Sequence, residues 1–179
     1  LVTALSCNLT PVASLQLTSM PSTMIGLPPV DLHVEYAHQV PNSQQARDIY
    51  TDYGRLHAEQ FADLLDLMDS IPEGNGTLLD NCLVVFMSEM GDPGHELARY
   101  NVTLAGGLGG RIQTGRYLHY ANTTPVASAW YGNLSGKSHQ HFLVSLAQKM
   151  GMDINAVGAE ALEADDGSTL DLTGPLAEL

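Results

Sequence analysis

Residues 82–95, Cys-Leu-Val-Val-Phe-Met-Ser-Glu-Met-Gly-Asp-Pro-Gly-His, decide the fold that the sequence predicts. Leu83 to Met87 form a continuous apolar run rich in β-branched and aromatic side chains, which is typical of a strand buried on both faces inside a parallel sheet. Ligands of open α/β sheets bind beyond the carboxyl ends of the strands, so the polar residues that follow are the first candidates for a site. The alternative is an ordinary polar turn of the Asp-Pro-Gly type.

The patterns on either side of this strand predict an α/β fold, in which helices alternate with strands. Apolar residues at helical spacing predict a long helix over 45–70, and Ser138 is placed to cap a second helix from His139 to Met150. Alternating residues predict a strand from Val12 to Thr18, and the short apolar run at 101–105 predicts a second short buried strand.

Glycines follow the second apolar run, at 106, 107, 109 and 110. They lack the G-x-x-x-x-G-K and G-x-G-x-x-G patterns of phosphate-binding loops, so we interpret them as turn glycines that open a hairpin over 108–120.

Composition limits the functions that the chain can have. With 20 acids against 7 Lys and Arg among 179 residues, the formal net charge is −13, which argues against nucleic acid as a partner because its phosphates are neutralised by Lys and Arg. An acidic surface is compatible with cation binding and equally with solubility alone. No segment approaches the roughly 20 apolar residues of a transmembrane helix.

Two further features concern the cellular compartment and the extent of the chain. Five Asn-x-Ser/Thr sequons begin at residues 8, 75, 101, 122 and 133, and they permit glycosylation in a secreted eukaryotic protein. Cys7 and Cys82 are expected as buried free thiols, with one disulfide as the alternative.

The first residues look like the end of a helix, so we expect an upstream part. Residues 1–151 are then the C-terminal portion of one α/β domain, and 152–179 an acidic tail packed on it.

The order of these motifs resembles the C-terminal half of the alkaline phosphatase/sulfatase-like superfamily. The resemblance rests on the helix, the stretch Gly76 to Asp92, His95, and Asn-Val-Thr-Leu-Ala-Gly-Gly from Asn101. It extends to two secreted bacterial families, domains of unknown function 1552 and 1501, whose strand ends in Ser-Glu-Phe-Gly-Arg. The ending Leu172-Thr-Gly-Pro-Leu-Ala-Glu-Leu is similar to the tail of the first of them.

The resemblance implies a mixed, mainly parallel sheet flanked by helices, with a metal centre at the strand ends. The small hairpin and an extended C-terminal tail, both predicted from the residues themselves, complete the expected fold. Matched position by position, the implied metal ligands are Asp31, His33, Glu89 and His95, and His38 is added to them as a further candidate. Imidazole and carboxylate together suit a divalent metal such as Zn, Mn or Fe, and a carboxylate-rich set suits Ca.

Each of these residues also has an ordinary structural interpretation. The two histidines of the 31–38 segment are equally expected as surface residues, Glu89 as a salt-bridge or capping residue, and His95 as a hydrogen-bonding loop residue.

Two departures from the family pattern shape the functional prediction. Met90 stands where active phosphatases have a histidine, and Asp92 stands where the bacterial families have an arginine. We therefore predict a non-catalytic extracellular binding or assembly protein with an altered metal site, which is secreted, periplasmic or at the cell surface. Its expected partners are its own upstream segment and, in a homo-oligomer, further copies. The alternative is a metal-dependent hydrolase of phosphate or sulfate esters completed by that upstream segment.

Overall fold

The structure of this chain is a computed structural model. It describes residues 1–17, 19–88, 90–91, 100–120, 126–128, 132–134, 136–164 and 167–179, with the backbone alone for 126–128 and 132–134.

Helices of very different length occupy both halves of the described chain. The α-helices are α1 Val2–Ser6, α2 Leu32–Glu35, α3 Gln44–Asp69, α4 Leu78–Asn81 and α5 His139–Lys149, and short 3-10 helices span Ser22–Ile25 and Ala37–Gln39. The Ser43 side chain caps α3 by accepting a hydrogen bond from the Ala46 N–H at 3.2 Å. Helices α3 and α5 confirm the two helices predicted from apolar spacing. Among the described helices, none combines the length and the apolar character that crossing a bilayer requires.

The strands are short and form separate antiparallel pairs. They are β1 Pro72–Glu73, β2 Gly76–Thr77, β3 Val84–Met87, β4 Val102–Ala105, β5 Val126–Ser128, β6 Gly132–Leu134, β7 Ala161–Glu163 and β8 Thr169–Asp171. Each pairs only with its neighbour in sequence, so the sheets of the described chain are β1–β2, β3–β4, β5–β6 and β7–β8.

The predicted fold class, an α/β fold with a mixed, mainly parallel sheet of the alkaline-phosphatase type, is therefore wrong. The run at 83–87 does form a strand, but β3 pairs antiparallel with β4, with Val85 opposite Leu104. A continuous apolar run indicates that both faces of a strand are covered; it carries no information about the direction of the neighbouring strand. The predicted direction came from this apolar run, from the helix-strand order and from the resemblance, and none of the three determines it.

Strand β3 lies between two apolar clusters, because its successive side chains point to opposite faces. Val84 packs with a cluster around Val2, Met68 and Leu78, from α1, α3 and α4. Val85 packs with the cluster around Phe142 of α5. We call these the α3-side and α5-side clusters. The antiparallel pair β3–β4 is thus packed on both sides although it has only two strands.

The glycine-rich segment after β4 contains no strand, so the predicted hairpin over 108–120 is wrong. The Leu108 N–H donates to the Cys82 carbonyl at 3.0 Å and the Gly109 N–H donates to the Asp80 carbonyl at 2.9 Å. These backbone donors bind the end of α4. Gly106 has φ +84°, and a Cβ there would lie 2.4 Å from the Cys82 carbonyl oxygen, so only glycine fits.

The last residues of the chain pack on α5. Leu176 and Leu179 are buried with Ile112 and Phe142 in the α5-side cluster. The buried Ser145 hydroxyl accepts a 2.6 Å hydrogen bond from the Leu176 N–H. It also donates to the His141 carbonyl at 2.9 Å, so this buried hydroxyl uses both its donor and its acceptor capacity.

Both cysteines are free thiols. Cys82 is half-buried, whereas Cys7 is exposed, so the expectation of burial is wrong for Cys7. Burial raises the pKa of the Cys82 thiol above its ordinary value, and nearby Glu73 adds to this effect.

Candidate functional site

The candidate site lies in the 31–40 segment, which begins at the short helix α2. Asp31 is the N-cap, and its Oδ1 accepts hydrogen bonds from the His33 N–H at 2.9 Å and the Val34 N–H at 3.2 Å. These bonds satisfy two of the backbone donors that have no partner inside a helix. The Asp31 carboxylate therefore fixes the backbone of the turn that carries His33.

A break in the helix at Tyr36 brings His33 and His38 together. On a continuous α-helix, residues five apart point about 140° apart around the axis and do not meet. Tyr36 leaves the helical region with φ −131° and ψ −32°, and a 3-10 turn follows from Ala37 to Gln39. The two imidazole rings then lie edge to face, with centroids 4.8 Å apart and planes at 85°.

Helix α3 packs against the 31–40 segment and holds it in place. Leu32 and Ala37 are buried, whereas both histidines are exposed. The Tyr50 hydroxyl donates to the Leu32 carbonyl at 3.2 Å, and burial raises the Tyr50 pKa, with Tyr53 and Asp31 contributing. Tyr50 therefore stays protonated and remains a donor at neutral pH.

Arg47 supports the other end of the segment. Its Nη1 donates to the Val40 carbonyl at 2.9 Å and to the Pro41 carbonyl at 3.2 Å. Its Nε and Nη2 bind Gln44 Oε1 at 3.2 and 3.1 Å. The guanidinium is thus used to hold the backbone that follows His38.

The Nε2 atoms of His33 and His38 are 3.2 Å apart. This distance fits a hydrogen bond between two imidazoles, one of which then carries its proton on Nε2. It also fits two ligands of one metal ion, since two nitrogens about 2.0–2.1 Å from a tetrahedral zinc are about 3.3 Å apart. A single arrangement therefore suits either a shared proton or a shared cation.

The predicted ligands have different outcomes. His33 and His38 lie together, and Asp31 lies beside them as the helix cap. Glu89 and His95 lie outside the described residues. Across the described ranges, no group of three or more His, Cys, Asp or Glu side chains is arranged to hold a metal ion.

The sequence did not point to Arg47 and Tyr50, the two residues of α3 that hold the histidine segment in place. The one signal was their spacing: residues three apart share a helix face, here the face turned toward the segment before the helix. Which segment that face would hold was not readable from the sequence.

His141 shows a different use of a histidine. It is the third residue of α5 and only 3% exposed. The Ser138 N–H donates to His141 Nδ1 at 3.1 Å, so Nδ1 carries no proton and the ring proton lies on Nε2. Burial lowers the His141 pKa; nearby Lys137 lowers it further and Asp171 opposes the shift. The His141 ring therefore caps the N-terminus of its own helix, α5.

None of the family models, curated proteins or solved structures compared with the chain matches it. The geometry of the described residues is therefore the basis for any functional assignment.

Proposed function

We propose that this protein binds a divalent transition-metal ion through Nε2 of His33 and Nε2 of His38, as a non-catalytic metal-binding protein. The observation that carries the proposal is the 3.2 Å separation of these two atoms on an exposed, well-anchored turn. Sequence spacing alone would not place them together on a continuous helix.

The donor type indicates the class of metal. Two imidazoles suit Zn, Cu, Ni or Fe, whereas Ca and Mg prefer oxygen ligands. This favours zinc or iron over the calcium also considered from the sequence. Asp31 acts here as a residue that positions the His33 backbone, because its Oδ1 accepts two backbone hydrogen bonds. Glu89 and His95 remain predicted additional ligands.

The surroundings of the histidine pair favour binding over catalysis. Both rings are exposed, whereas catalytic metal sites gain strength from excluding water. The guanidinium of nearby Arg47 is engaged by backbone carbonyls and by Gln44, so it is not positioned to clamp an anionic ester. An extracellular location and a role in assembly remain predictions.

The test is a calorimetric titration of the purified metal-free protein with zinc and, separately, with calcium at pH 7.5. We expect one zinc ion per chain, with calcium binding far more weakly. His33→Ala and His38→Ala should each weaken zinc binding at least about tenfold, which corresponds to about 1.4 kcal/mol, because each removes a direct ligand. His119→Ala is the matched control, since it removes another exposed histidine.

Two results would contradict the proposal: no zinc binding by the wild type, or equal zinc affinity in all three variants and the wild type. Glu89→Ala and His95→Ala, titrated in the same way, test the remaining predicted ligands. Assays of phosphate and sulfate esters with the zinc-loaded protein test the hydrolase alternative, and turnover lost in His33→Ala would replace the non-catalytic assignment.

A further inference from the structure

Residues 11–17 lie outside the helices and strands of the chain that the structure describes. Val12 is 64% exposed, Leu15 67% and Leu17 45%. From Ala13 to Leu17 the backbone forms no hydrogen bond to any part of the chain that the structure describes. Backbone N–H and C=O groups without partners are available for pairing with a strand of another chain.

Strand β3 presents the complementary feature. Its side chains contact apolar clusters on both faces, as in a strand from the interior of a sheet. Nevertheless, β4 is the only strand paired with β3 among the residues that the structure describes, so within those residues the second edge of β3 is free. A strand added there would continue the sheet between the α3-side and α5-side clusters.

The charge distribution favours a second copy of this chain as the partner. The protein carries a net charge of −13, so most approaches between two copies bring acidic groups together. Residues 7–30 contain no charged side chain, and neither do residues 81–88 around β3. Contact between these two neutral segments therefore avoids the repulsion that opposes association elsewhere on the surface.

We propose that two copies associate reciprocally, with residues 12–17 of each copy pairing along the free edge of β3 in the other. Each copy then donates one strand and accepts one, which closes a two-fold symmetric dimer without leaving an open end. Leu15 and Leu17 point to the same face of the added strand and pack on one cluster, because side chains alternate along a strand. Backbone hydrogen bonds supply the remainder of the contact.

The experiment is sedimentation equilibrium of the full chain over a wide concentration range, for the wild type and three variants. Leu15→Pro removes a backbone donor from the added strand, and Leu15→Asp places a charge on its packed face. Met152→Asp is the control, since it makes the same charge change at an exposed apolar residue outside the segment. We expect a wild-type monomer–dimer equilibrium whose dissociation constant rises at least about tenfold in both Leu15 variants and stays unchanged in Met152→Asp.

Hydrogen exchange supplies a second measurement that does not depend on the variants. The amides of residues 12–17 should be protected at concentrations that favour the dimer and unprotected in the monomer. The proposal is overturned by a wild type that stays monomeric throughout, by an open series of larger oligomers, or by a dimer that both Leu15 variants leave intact. Because Leu15 is exposed in the single chain, the thermal unfolding of the monomer checks that the variants remain folded.

Discussion

The pair His33–His38 and the single His141 show two uses of the same side chain in one molecule. His141 is 3% exposed, and its Nδ1 accepts a hydrogen bond from the first residues of its own helix. His33 and His38 are exposed, and their Nε2 atoms face each other at 3.2 Å. Burial and the Ser138 N–H hold His141 at the start of its own helix, whereas His33 and His38 converge on the surface at a spacing that fits a shared proton or a shared cation.

The largest expected effect is that of His141→Ala, which tests whether the buried His141 stabilises the fold. The variant should lose about 2–4 kcal/mol of unfolding free energy, because it removes a buried ring and the acceptor of the Ser138 N–H. Chemical denaturation measures the loss. A value below about 0.5 kcal/mol, the range of ordinary surface substitutions, would show that His141 is not a structural residue.

Ser145→Ala tests a second buried polar side chain, one helical turn after His141 on α5. It leaves the buried Leu176 N–H without its acceptor, so we expect a loss of about 1–2 kcal/mol and faster hydrogen exchange of the C-terminal segment. Ser6→Ala is the control, since the exposed Ser6 hydroxyl bonds only to the Thr3 carbonyl of its own helix. Equal losses in the two variants would argue against the anchoring role of Ser145.

The pH dependence of stability tests whether the buried His141 is neutral in the folded protein. The folded-state pKa of His141 lies below its ordinary value of 6.5, so the unfolded chain takes up a proton at higher pH than the folded chain. The stability contributed by neutral His141 is therefore fully present above pH 6.5 and is lost as the pH falls through the lower folded pKa. Denaturation curves between pH 7.5 and 5 should show this decline.

His141→Gln is the matched variant for the pH measurement. Glutamine retains a side chain that can bond the N-cap backbone but does not titrate, so the decline below pH 6.5 should become shallower. An unchanged slope would assign the decline to other groups.

The smallest expected effect concerns the exposed pair. Without metal, His33→Ala and His38→Ala should each change the unfolding free energy by less than about 0.5 kcal/mol, as is usual for surface residues. With zinc added, the wild type should gain stability through binding to the folded state and each variant should gain less. Thermal unfolding with and without zinc measures both quantities, and an equal gain in wild type and variants would place zinc elsewhere.

Local patterns predicted the elements of this fold better than their arrangement. The spacing of apolar residues predicted α3 and α5 nearly to their ends, and the run at 83–87 predicted β3 with both faces covered. The direction of the partner strand depends on residues far along the chain. The apolar run, the helix-strand order and the resemblance all predicted a parallel sheet, whereas β3 and β4 pair antiparallel. The strand predicted at 12–18 is wrong over its described residues, which form no strand, since alternation shows a tendency and pairing needs a partner.

For the candidate site too, the sequence showed the residues but not their arrangement in space. The Asp-x-His spacing and the second histidine were visible in the sequence, but their convergence depends on the backbone break at Tyr36 and on the contacts from α3. Tyr36 carries no sequence signal for such a break. The metal-site prediction therefore rests on the resemblance and on residue types, and the closeness of the two Nε2 atoms could be known only from the fold.

The most direct test of zinc binding by His33 and His38 is X-ray absorption at the zinc edge of the protein loaded with one equivalent of zinc. We expect scattering from at least two imidazole nitrogens at about 2.0–2.1 Å in the wild type, and its loss in the His33→Ala/His38→Ala double variant. An unchanged imidazole signal in the double variant would contradict the account, because the metal would then be bound by other residues.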